Sequence, residues 1–251
     1  MMGELVRGDT ITTAWVRAME RLVASGNEAF DLLVVTQHPD PGRADTRVIA
    51  RLDGLLTKKN VESIRTVCNT IFPEQVARTS GDRDVFYQRY RTMLPRLKRM
   101  ERKNQRGIYF ERLIDFPLQR DPARANQLED TIQRLRAELG RRGTLAHVYE
   151  MQVYAPGQDR RPIGFPCMSS LSFHLEEGRL RLSATYRNQY YVSKALGNFL
   201  GLALLQQFIA RESGIETGVL SVHAFHAQID PDVAQRDVAM LLRDCQELVP
   251  A

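Results

Sequence analysis

Two stretches of strict apolar and polar alternation stand close together in the second half of the chain. Residues 168–175 (Met-Ser-Ser-Leu-Ser-Phe-His-Leu) and 179–186 (Arg-Leu-Arg-Leu-Ser-Ala-Thr-Tyr) flank a Glu-Glu-Gly segment ending at Gly178. A period of two predicts half-buried strands, and the short glycine-containing link predicts a hairpin. Beyond it, over residues 191–210, apolar positions such as Val192, Leu196, Phe199, Leu202, Leu205 and Ile209 encircle a helix rather than striping it. Such a helix is normally buried.

Elsewhere the pattern is amphipathic. Trp15, Ala18, Met19 and Leu22 fall at helical spacing and predict a helix over 11–25 that ends at Gly26, with Trp15 in the core. Further helices are predicted over 61–72, stopped by Pro73, over 85–106, broken near Pro95, and over 126–139. Asp230-Pro231 reads as an N-cap with proline in the first turn of a C-terminal helix. Strands are predicted over 30–35, 144–154 and 218–229, with loops at 38–42 and 155–162. The sum is α+β, one domain over 1–251, with a sheet packed on a buried helix.

Composition narrows the choices. At 251 residues and 43% hydrophobic content the chain can bury one good core. A net charge of +5 suits anionic ligands but is modest for a dedicated nucleic-acid binder. The densest basic cluster, Arg96, Lys98, Arg99, Arg102, Lys103 and Arg106, reads as a solvated helix face, so nucleic acid is not expected as a partner. Three cysteines without CxxC spacing predict a reducing, cytoplasmic setting and no zinc site. No run approaches about 18 apolar residues, and Glu4, Arg7 and Asp9 stand where a signal peptide would be apolar, so neither membrane nor export is expected.

Candidate chemistry sits at the hairpin. Cys167 immediately precedes the first strand, and the second strand returns the chain so that Arg187 lies back at the level of Cys167. A guanidinium near a thiol favours the thiolate, the reactive form. Cysteine also serves as a small buried hydrophobe, and this pattern alone allows that role too. Arg187 offers a planar fork suited to phosphate, and the start of the following helix adds unpaired N–H groups that favour anions.

Phe165-Pro166-Cys167, then Arg187 twenty positions on, then Asn198 eleven further, resembles the thymidylate synthase and pyrimidine-nucleotide hydroxymethylase family. The similarity extends through residues 198–210 and, with a short gap, to His226. Upstream, Arg141-Arg142 looks like the family's paired arginines, which reach the phosphate held by the neighbouring subunit. Residues 55–59 with Ser63-Ile64 are similar to its early segment.

The resemblance implies a thymidylate synthase-like fold: a mixed β-sheet on a long buried central helix, with sheet faces forming a homodimer. It also implies that Cys167 adds to C6 of a pyrimidine nucleoside monophosphate, with 5,10-methylenetetrahydrofolate as the one-carbon donor and a methyl or hydroxymethyl product. Asn198 would read the base. Because a carboxamide can accept from N3–H and donate to O4, uracil is favoured over cytosine. Arg187, Arg141 and Arg142 would hold the phosphate, and His226, or His223 after a small shift, would meet the ribose. Gln228 stands at the family's sugar-binding tyrosine.

Departures from the pattern cluster on the cofactor side. Tyr190 occupies the position of the family's acidic pterin-binding residue. The expected early-helix glutamate falls near Val67 or Cys68, with only Glu62 and Glu74 close in sequence, and Lys194 and Gly197 alter the same side. A nucleotide-binding protein of this fold without folate chemistry is therefore the second expectation.

Overall fold

In the computed structural model the described residues are 3–117, 125–139, 149–160 and 166–249. Strand β1 (Glu4–Gly8) runs parallel to β2 (Glu28–Thr36), which pairs antiparallel with the long β7 (Glu216–Gln228). On the other side of β7 lies β5 (Arg179–Tyr186), parallel to it, followed by antiparallel β4 (Met168–Glu176) and β3 (Tyr149–Gln152). The short β6 (Gln189–Tyr190) continues past the end of β5 along β7. The expected hairpin is β4–β5. Glu176 pairs with Arg179 across Glu177 (φ 50°) and Gly178 (φ 75°), two left-handed residues that give the primed two-residue turn matching strand twist.

Helices α1 (Ile11–Ala24), α2 (Thr46–Lys58), α3 (Ile64–Ile71), α4 (Glu74–Arg78), α5 (Arg83–Met100), α6 (Tyr109–Ile114), α7 (Gln127–Glu138), α8 (Leu196–Ser213) and α9 (Gln235–Gln246) complete the described fold. Helix α8 is the buried one. It packs on β5 and β7 on one side and on α3, α7 and α1 on others, so its apolar residues find partners all round. The architecture is thus the anticipated α+β arrangement of a mixed sheet on a long buried helix.

Two glycines let α3 and α8 approach closely. A Cβ on Gly201 would lie 2.8 Å from the Cys68 carbonyl oxygen and 2.9 Å from Ile71 Cβ, and one on Gly197 would lie 2.7 Å from Val67 Cβ. We expect Gly201→Ala to destabilise the fold by about 1–3 kcal/mol through overpacking, reversing the ~1 kcal/mol that alanine gains over glycine in an exposed helix. Chemical denaturation with an unchanged slope would measure it. On the opposite side of α8, the buried Gln206 donates its amide to the carbonyls of Leu180 (2.7 Å) and Gly218 (3.1 Å). The β5–β7 register shifts between Leu180 and Leu182, so a side chain takes up carbonyls that the ladder leaves there.

Several expectations need correction. Helix α5 runs unbroken through Pro95, because that residue lies on the exposed side, where water can satisfy the carbonyl it frees. Lys98 of its basic face is tied to Glu111 at 2.6 Å. Asp230 caps no C-terminal helix: α9 starts only at Gln235, and the carboxylate serves another element described below. Strand β3 is confined to Tyr149–Gln152 among the described residues, with 144–148 outside them. Neither β1 nor α6 was anticipated, both being short segments interrupted by charge. Trp15 is in the core as expected, its indole donating to the Tyr191 carbonyl at 2.8 Å.

Candidate active site

Three neighbouring strands lose their regular pairing at one level. In β2 the pairs Phe30 with His226 and Leu32 with Ala224 skip Asp31, whose φ is +55°. On the other side of β7, Tyr186 pairs with Ala224 and Gln189 with Ala227, leaving Arg187 and Asn188 outside the β7 ladder. Arg187 instead donates its backbone N–H to the Cys167 carbonyl at 3.0 Å. The hairpin therefore brings the cysteine and the arginine to one height, as alternation and turn length required.

Cys167 is half-buried, whereas Cys68 and Cys245 are buried and pushed up by desolvation to about 12 and about 11. Burial also raises the Cys167 thiol above its ordinary value, and Arg187, then Lys194, pull it part of the way back. The expectation that the guanidinium would favour the thiolate is corrected in its balance, since desolvation is the larger effect.

Tyr109, at the start of α6, was not singled out from the sequence. Its phenol is pushed well up by burial and, next, by Cys167, while backbone hydrogen bonding from Met168 and Cys167 lowers it, so the phenol stands against the cysteine. Its ring meets Tyr186 edge-on at 6.4 Å. No periodicity marks a lone tyrosine before a short helix, so the signal was absent. Asn198 lies two residues into α8, 4% exposed.

A π-helical turn, Tyr191–Ala195, leads into α8. Its leading N–H groups do not face an open anion site: the buried Asp230 carboxylate accepts from Val192 at 2.9 Å and from Ser193 at 3.1 Å. Burial raises the Asp230 carboxyl while those bonds lower it. The anion-binding role expected for this helix start is thus taken by the protein's own carboxylate.

Tyr190, Lys194 and Lys59 share a hollow of about 290 Å³ with Leu55, Val61 and Val192. Lys194 is bound to Glu62 at 2.5 Å. Val67, where a glutamate was sought, is packed against Gly197. On β7, Gln228 donates to Asn188 at 2.8 Å, while His226 stacks on Phe30 (4.9 Å between centroids) and meets Glu28 at 3.2 Å. His223 faces Asp31 at 3.4 Å. Phe30 and Phe225 beside them are about half exposed. Cys167, Arg187, Asn188, His226 and Gln228 thus belong to one end of the sheet. Arg141 and Arg142 lie outside the described residues.

Comparison with known proteins gives partial matches. No family model matches the chain. A protein of Methanothermobacter thermautotrophicus named "Putative thymidylate synthase" is 31% identical over 105 residues, covering 41% of this chain and 45% of that protein. A like-named protein of Methanothermobacter marburgensis is 31% identical over 105 residues, covering 41% and 44%. Another, from Methanocaldococcus jannaschii, is 24% identical over 127 residues, covering 49% and 56%. The chain thus spans about half the length of these curated relatives. The crystal structure of thymidylate synthase from T4 phage overlaps 57% of this chain and 44% of that one at 17% identity and a TM-score of 0.42, too slight to bear on the site. Over the stretch that the archaeal proteins match, the chain is thymidylate synthase-like, a divergent relative of them.

Proposed function

We propose that this chain transfers a one-carbon unit to C5 of a pyrimidine nucleoside monophosphate, of uridine type, through a covalent adduct of Cys167 at C6. The observation that carries the reading is the Arg187 N–H to Cys167 carbonyl bond, which sets the two residues side by side at the sheet end, where the guanidinium pulls the thiol's pKa part of the way down. A pyrimidine C5 is a poor nucleophile until a thiolate adds to C6 and moves electron density onto C5 and O4. C5 then bonds the one-carbon unit, and loss of the C5 proton and cleavage of the S–C6 bond restore the ring and free the sulfur; the transferred carbon would take a hydroxyl from water to give a hydroxymethyl product, or a hydride from the donor to give a methyl product. Arg187 holds the phosphate, Asn198 reads the N3–O4 edge of uracil, and His226 and Gln228 orient the sugar. Arg141 and Arg142 complete the phosphate clamp from a second copy docked sheet to sheet, and the enzyme works in the cytoplasm.

5,10-methylenetetrahydrofolate is the donor that the resemblance suggests, and when bound it supplies the one-carbon unit. The hollow beside Tyr190 fits part of it, with an aromatic ring for stacking and apolar walls; its Lys59 and Lys194 are already paired with Asp237 and Glu62, and Asp230 and Asp232 also line it, so it does not suit a carboxylate tail. Tyr190 cannot accept as a carboxylate does, so the pterin end is held differently from the family pattern.

The test is incubation with dUMP, UMP, dCMP or CMP plus methylenetetrahydrofolate, followed by mass analysis of the base. A gain of a methyl or hydroxymethyl group, and a 5-fluoro nucleotide trapped on Cys167, are the expected results. An unaltered base with no adduct refutes the reading. Tyr190 and the packed Val67 favour a second reading, a nucleotide-binding protein without folate chemistry. Calorimetric nucleotide binding without turnover, indifferent to Cys167→Ser, would establish that one instead.

A further inference from the structure

We propose that the carboxamides of Asn188 and Gln228 make this site selective for a ribonucleotide, receiving both hydroxyls of a ribose 2′,3′-diol so that UMP is preferred to dUMP. This rests on the nucleotide reading of the site given above, and it adds Asn188, to which that reading gives no part. The two residues come from different strands. Gln228 ends β7 opposite Tyr190 of β6, and Asn188 stands in the break between β5 and β6, directly after Arg187. Both are half-buried, shielded from much of the solvent yet within reach of a ligand.

A chain of hydrogen bonds sets their orientation. His226, stacked on Phe30, meets Glu28 through Nε2 at 3.2 Å, which leaves its Nδ1 as an acceptor toward Gln228 Nε2 at 3.5 Å. The same Gln228 nitrogen donates to Asn188 Oδ1 at 2.8 Å. Both N–H bonds of the Gln228 amide are thus engaged, and the network fixes which way each carboxamide is turned. Among the described residues, Gln228 Oε1 with its two lone pairs and the Asn188 Nδ2 with its two hydrogens are left open, one on either side of the 2.8 Å bond. A phenol at position 228 would present a single O–H. Two donors and two lone pairs instead match a pair of neighbouring hydroxyls, each of which both donates and accepts. His226, with both ring nitrogens engaged, acts on the sugar through Gln228. A deoxyribose covers the same two carboxamides, but its C2′ brings no oxygen, so an amide group gives up water without gaining a partner. The 2′-hydroxyl is the group by which a protein tells the two sugars apart.

The test is calorimetric titration of the full chain with UMP and with dUMP, without any one-carbon donor. UMP is expected to bind about tenfold more tightly, the effect of one such hydrogen bond together with its desolvation. The wild-type protein also supplies a check that needs no variant: 2′-fluoro-2′-deoxy-UMP, whose fluorine cannot donate, should bind like dUMP. Asn188→Ala is expected to bring the UMP to dUMP ratio within about twofold of unity, chiefly by weakening UMP, with its melting temperature measured alongside. Equal affinities in the wild type, a preference for dUMP, or an unchanged ratio in a folded Asn188→Ala would overturn the proposal. Failure of both nucleotides to bind would refute the nucleotide reading and this proposal with it, whereas binding without preference removes the proposal alone.

Discussion

Replacing Cys167 with serine is expected to lower one-carbon transfer by at least about a thousandfold, because a hydroxyl is a far weaker nucleophile than a thiolate. Nucleotide binding should persist, since Arg187, Asn198, His226 and Gln228 are untouched. The half-buried position and near-equal side-chain volumes predict that the melting temperature changes little, so lost turnover would not reflect lost folding. Steady-state turnover, together with adduct formation on a 5-fluoro nucleotide, measures the effect. Residual turnover within about tenfold of wild type, well inside the loss expected for a missing nucleophile, would remove Cys167 from the chemistry.

The largest expected effect on stability lies at Arg112 in α6. Its guanidinium, 2% exposed, makes two bonds to Asp159 (2.9 and 3.2 Å) and one to the Arg106 carbonyl at 2.7 Å. Asp159 in turn accepts from the Ala155 N–H at 2.8 Å. Gly107, at φ +114°, lies so close over this guanidinium that a Cβ there would fall 2.5 Å from Nε. Arg112→Met leaves a buried carboxylate uncompensated, and such a break costs about 3–5 kcal/mol. Exchanging both partners for apolar residues should restore much of that loss, since buried ion pairs gain little over well-packed hydrophobes. Equilibrium unfolding of the single and double variants separates the two outcomes. A single variant as stable as wild type would show that the pair is dispensable. Because Tyr109 stands on the same short helix, the single variant should also disturb the surroundings of Cys167.

The β4–β5 hairpin and helix α8 were legible because each carries an unambiguous period: two along the strands, and apolar residues all round the helix. From them followed the return of Arg187 to Cys167, the part of the candidate site that alternation alone can specify. What stayed hidden depends on contacts distant in sequence. That Asp230 would serve Val192 and Ser193, some 38 residues away, cannot be read from an Asp-Pro pair that equally suits a local cap. Pro95 looked like a break because its neighbours say nothing about which side meets solvent. Tyr109 carries no pattern of its own, and how far Cys167 is buried depends on tertiary packing, which no spacing announces. The Lys194–Glu62 pair joins two departures that seemed unrelated along the chain, an added cation and a missing acid.

Asp230 has a consequence for traffic into the cleft. By filling the positive end of the segment that leads into the buried helix, it denies that berth to any other anion, so a phosphate of the kind proposed above would be met by side-chain cations instead. Discrimination among charged ligands would thereby move from rigid main chain to exchangeable side chains.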